Sequence, residues 1–211
     1  MSKSSRAVGG ARAGRAKVDE LRKAQQAKER RSRLLLVAAV TTVIVLIAGV
    51  VGFTVWRDVS NRPKLDAVKT FEVTRDHTTE PVTYRESPPV GGDHHPAWLN
   101  CGIYPEPVPD ELAVHSLEHG AVWVTYRPDL PVDQVKTLTD SVPDTYMVVS
   151  PRDGLPAPVV ASAWGTQLQL TGVDDPRLAE FIKKYRQGPQ TPEPGAACTG
   201  GSDGELPATS G

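Results

Sequence analysis

The sequence predicts an α+β fold: a small mixed sheet with a βαβ unit, a hairpin and a C-terminal helix, preceded by a single transmembrane helix. Three observations predict it. Residues 34–56 are apolar and uncharged over a length that crosses a bilayer. Short β-branched runs alternate with amphipathic stretches between residues 121 and 187, and prolines and glycines crowd the connections.

Charge organises the N-terminal part. The formal net charge of -1 conceals eleven Lys and Arg against three acidic residues in positions 1–33, a balance of +8 that leaves -9 for the remainder. Such a split belongs to two segments in different environments. The run at 34–56, LLLVAAVTTVIVLIAGVVGFTVW, has three threonines as its only polar side chains besides the terminal tryptophan. At 1.5 Å per residue it reaches about 34 Å, enough for a hydrocarbon layer of about 30 Å. A secretory signal would carry an apolar core of about 7–15 residues and an A-x-A-like cleavage site. This run is longer and has no such site, so it reads as a retained signal anchor. The basic arm at 1–33 then places the N-terminus in the cytoplasm and everything after residue 56 outside the cell membrane. Residues 1–16, rich in Ser, Gly, Ala and Arg, read as disordered, and 17–33 as a helix extending the anchor. Basic arms also bind nucleic acid or anionic lipid. This one has no aromatic residue, so its expected partner is the lipid bilayer, with no nucleic acid.

Beyond the anchor, 57–70 reads as a tether, 71–188 as an extracytoplasmic domain and 189–211 as a flexible tail held at Cys198. Segments 71–73 and 81–84 are short β candidates. Prolines at 105, 107 and 109 favour an extended path without ladder bonds. The run AVWVTY at 121–126 is β-branched and aromatic, hence a strand. PVDQVKTLTDS at 131–141 opens with a helix-compatible proline and sets Val132, Val135 and Leu138 on one face. With a strand at 146–150 this makes the βαβ unit. Segments 158–164 and 167–170 flank Gly165 as a hairpin. DPRLAEFIKKYRQ at 175–187 has an Asp cap, an apolar face of Leu178, Phe181, Ile182 and Tyr185, and Gly188 at its exit. The terminal LPATSG departs from an LPxTG sorting signal by an inserted serine and is not read as one.

The chain has two cysteines, Cys101 and Cys198. Outside the membrane disulfides persist, and closing a loop of about 100 residues restricts the unfolded chain by about 4–5 kcal/mol. Compartment and even count favour that bond. The alternative makes Cys101 a thiolate nucleophile or soft metal ligand, with His94, His95 and His115 near it in sequence.

Four of the five histidines lie between residues 91 and 123. His115, Glu118 and His119 form HSLEH, the H-x-x-E-H pattern of inverted zinc peptidases. That pattern needs a helix: residues four apart then lie about 6 Å apart on one face, against about 13 Å in a strand. Asp110 is placed to cap such a helix and Gly120 to end it. Asp93, His94 and His95 sit in a glycine-flanked loop that can bring an imidazole to His115 or His119, and His77 is a remoter candidate. Imidazoles with a carboxylate suit zinc, copper or iron. The competing reading is that these histidines hydrogen-bond loop backbone in a segment poor in secondary structure.

PPVGGDHHPAWLNCGIY, VPDELAVHSLEHGAVWVTYRPDLP, the AWG at 163–165 and a late cysteine after PEPG together resemble the bacterial, actinobacterial-type membrane-anchored family catalogued as domain of unknown function 3105. The likeness covers about residues 71–198. It implies that His94, Cys101, His115, Glu118 and His119 belong to the family signature and that His95 occupies a variable position. The expected function is an envelope domain binding a transition metal, copper or zinc, through His94, His115 and His119 with Glu118 as ligand or orienter. The alternatives are a non-catalytic partner-binding module of an envelope assembly, and a hydrolase using Glu118 as base.

Overall fold

The computed structural model describes residues 4–206; residues 1–3 and most of LPATSG lie outside them. The chain divides into two compact units, one ending at Arg62 and one beginning at Pro63.

The first unit is one helix, α1, Ser4–Ser60. Within it, Asp19–Ser60 is long and apolar enough to cross a membrane. The apolar side chains of 34–56 are exposed, as a lipid-facing surface requires. The three threonines are satisfied inside the helix: Thr41 donates to the Val37 carbonyl at 2.7 Å, Thr42 to Ala38 at 2.8 Å and Thr54 to Val51 at 2.9 Å. Polar hydroxyls in hydrocarbon would otherwise lack partners. Helical backbone also runs through 4–16, where composition suggested disorder; the Ala and Arg content there is compatible with helix.

The second unit is a mixed six-stranded sheet with helices on both faces. Its elements are β1 (Lys69–Thr70), β2 (Gly102–Ile103), α2 (Asp110–Glu118), β3 (Val122–Tyr126), α3 (Val132–Ser141), β4 (Met147–Pro151), β5 (Val159–Ala163), β6 (Thr166–Leu170) and α4 (Arg177–Tyr185). The strand order is β1-β6-β5-β3-β4-β2. β3, α3 and β4 form the βαβ unit, with Trp123 opposite Val148 in a parallel pair. β5 and β6 form the antiparallel hairpin around Gly165, whose φ of 63° suits glycine.

Both faces of the central strands are buried, so their residues divide by parity. Val122, Val124, Met147 and Val149 join Leu138, Phe181 and Ile182 in one core. Trp123 and Val148 point the other way, to Leu99, Leu112, Leu117 and Trp164 beside α2. α2 is thus held by the second core, which fixes what it carries.

Segments 71–73 and 81–84 are not strands. Phe71 donates to the Gly165 carbonyl at 2.8 Å, where the β1–β6 pairing stops. The Val82 amide takes a carboxylate oxygen of Glu111 on α2 at 3.2 Å, a partner outside any ladder. Residues 189–206 have neither helix nor strand, yet their backbone is bonded to the domain on both sides of Cys198: Glu193 donates to the Glu118 carbonyl, and Asn100 to the Ser202 carbonyl.

Candidate metal centre

α2 answers the local question that sequence left open: 110–118 is helical, with His119 as its C-terminal cap. Leu112, Ala113, Val114 and Leu117 are fully buried and supply the reason. Asp110 is the first helical residue; its carboxylate makes a two-pronged pair with the Arg152 guanidinium, one contact at 2.9 Å, and gives no side-chain cap. Gly120, at φ 94°, turns the chain out, and a side chain there would strike Gln187.

Residues three apart share a helix face, so His115 and Glu118 project together. The other half of the site is an irregular segment. His94 accepts from the Thr78 amide at 2.7 Å and donates its own amide to the Asp76 carbonyl at 3.0 Å, a single parallel bridge that sets His77 beside His94. The turn before it needs glycine at Gly91, φ 152°, because a Cβ would lie 2.7 Å from Val73. Tyr84 closes the turn by donating to the Asp93 carbonyl at 2.8 Å, and burial, with Glu111 nearby, pushes its hydroxyl pKa up so that it stays a donor.

Four donor atoms, one each from His77, His94, His115 and Glu118, all lie within 4.8 Å of one another. His94, His115 and Glu118 are buried, while the His77 side chain is 47% exposed. Glu118 Oε2 is 3.0 Å from His94 Nε2 and 3.6 Å from His77 Nε2.

The ring orientations come from backbone carbonyls. His94 Nδ1 donates to the Gly92 carbonyl at 2.8 Å and His115 Nδ1 to the His95 carbonyl at 2.7 Å. A carbonyl only accepts, so Nδ1 carries the proton, and in a neutral ring Nε2 presents a lone pair. His115 is held neutral: burial lowers its pKa from 6.5 to about 4, with His119, His94 and His77 adding to the effect against the favourable His95 carbonyl. With these rings neutral, imidazole lone pairs and a carboxylate oxygen converge. Two facing acceptors are stable only with a proton or a cation between them. Three imidazoles and one carboxylate are a donor set suited to zinc or copper.

The structure therefore brings His94, His115 and Glu118 together and adds His77. His119 is directed elsewhere: its Nδ1 donates to the Ala197 carbonyl at 2.6 Å and its Nε2 faces Glu193 at 3.6 Å, although its ring lies 4.5 Å from that of His115. His95 uses Nδ1 to accept from the Ala97 amide, closing its own loop. Cys101 is not among the four donors; its Cα is 5.3 Å from that of Cys198, within disulfide range. Trp164 packs on His94 and Trp98 on His115, walling the cluster with aromatic surface.

A family model described as "Protein of unknown function (DUF3105)" matches residues 76–200. The chain belongs to the DUF3105 family. The matched DUF3105 region opens one residue before His77 and closes just after Cys198, so it contains all four converging donors and the cysteine pair. Among curated proteins and among solved structures nothing matches.

Proposed function

We propose that this DUF3105 chain is a membrane-anchored, extracytoplasmic transition-metal-binding protein, with zinc or copper held by His77, His94, His115 and Glu118. The observation that carries it is the convergence of four donors within 4.8 Å, two of the imidazoles fixed through Nδ1. Ligands of a tetrahedral zinc, each at 2.0–2.1 Å, stand about 3.4 Å apart. The 3.0 and 3.6 Å separations around Glu118 Oε2 bracket that value. Carbonyl-bound Nδ1 atoms are the usual support of a metal-binding histidine. The exposed His77 gives the ion a route to solvent, which favours exchange of the ion over a sealed structural role.

The basic arm and apolar helix support an N-terminus in the cytoplasm and a domain outside it, the compartment in which a Cys101–Cys198 disulfide persists. The hydrolase reading loses support, because His119 is turned from the donors it would have to join and Glu118 lies among them. The test is zinc competition against a chromogenic chelator, with the full chain in detergent. His94→Ala should lose at least tenfold in affinity. Equal affinity in wild type and variant would overturn the assignment.

A further inference from the structure

We propose a second cation position at the rim of this domain, formed by His119 and Glu193 and distinct from the four-donor cluster, suited to a divalent transition-metal ion. His119 Nδ1 donates to the Ala197 carbonyl, so in the neutral ring its Nε2 offers a lone pair, and the group facing it is the Glu193 carboxylate at 3.6 Å. A direct charge-assisted N–H···O bond would be about 2.7–2.9 Å long. The observed gap is too wide for that bond and close to the roughly 3.4 Å between two ligands of one tetrahedral ion.

The pair is built rather than incidental. The His119 side chain is 5% exposed and wedged against Trp98, whose ring centroid lies 5.2 Å away. Glu193 sits between Pro192 and Pro194, which stiffen the backbone on either side, and its amide donates to the Glu118 carbonyl at 3.1 Å. Tyr146 donates to the Ala196 carbonyl at 2.9 Å, and Cys198 follows within two residues, so the carbonyl that orients His119 is itself fixed. The Glu193 side chain is 52% exposed, leaving room for water to complete the ion's shell. With two protein donors this position is the weaker of the two. It stands on its own donors and does not require the inner cluster to be occupied.

The experiment is a zinc titration of the full chain in detergent, with Glu193→Gln, Glu118→Gln and the double variant. Glu193→Gln is nearly isosteric at an exposed side chain and keeps the backbone bond to Glu118. Wild type should take two equivalents; Glu193→Gln should lose the weaker one, dropping its affinity at least tenfold, and keep the tighter. Glu118→Gln should do the reverse. A single equivalent sensitive to Glu118→Gln and indifferent to Glu193→Gln would overturn the rim position and leave the inner one standing. A single equivalent sensitive only to Glu193→Gln would support the rim position against the inner one. No uptake would overturn both.

Discussion

His94 and Glu118, twenty-four residues apart, meet with Nε2 and Oε2 at 3.0 Å in a fully buried pair, while the opposite nitrogen of His94 is committed to the Gly92 carbonyl. Removing the charge of Glu118 while keeping its shape isolates its contribution. Without metal, Glu118→Gln should fold, since an amide can donate to the His94 lone pair. With zinc at 100 times Kd, wild type should gain about 2.7 kcal/mol of stability. Thermal melts with and without zinc should show that gain largely lost in the variant.

His77 and His119 make opposite predictions. His77 is half-exposed and its ring packs on those of His94 and His115, so His77→Ala should leave the apo melting temperature nearly unchanged and weaken inner-site affinity. His119→Ala removes the bond to Ala197 together with the buried contact to Trp98 and should cost about 1–3 kcal/mol of folding stability, with inner-site affinity retained. Chemical denaturation and metal competition on both variants separate the two roles.

The cysteine pair closes a loop with a sequence separation of 97. In the chain-entropy model its bond stabilises the fold by about 4–5 kcal/mol. Cys198→Ser should lose stability on that scale, and thiol alkylation of the denatured wild type should label nothing until a reductant is added.

Asp175 accepts from the Thr171 and Arg177 amides and pairs with the Arg177 guanidinium, and chiefly this guanidinium holds its carboxyl well below the ordinary value of 3.8. A depressed folded-state pKa stabilises the fold above the unfolded value, and that contribution drains away as pH falls below about 4. Asp175→Asn should destabilise by roughly 1.5–3 kcal/mol at neutral pH. It should also flatten the stability profile below pH 4, read by urea melts across that range.

Much of the fold was legible in the sequence. The span in α1 shows as an unbroken apolar run without charge, and the β3–α3–β4 unit, the β5–β6 hairpin and α4 as short runs of β-branched or amphipathic residues between turn signals. α2 was ambiguous because nine residues with His115 and Glu118 among their buried positions do not show a clean apolar stripe. His77 stood apart because sixteen residues of irregular chain separate it from His94, and one backbone bridge, invisible to any periodicity, joins them. His119 matched the H-x-x-E-H spacing, but the carbonyl that turns it lies 78 positions along the chain, at Ala197. The bonding of 189–206 was hidden for the same reason: its partners, Glu118 and Asn100, belong to distant segments.

Metal binding is read directly by elemental analysis of the purified full chain after loading with zinc or copper and removal of excess ion. At least one tightly held equivalent per chain is expected, lost when His94 and His115 are both replaced by alanine in a variant whose circular dichroism remains native. A chain that retains no metal under either oxidising or reducing conditions would contradict it.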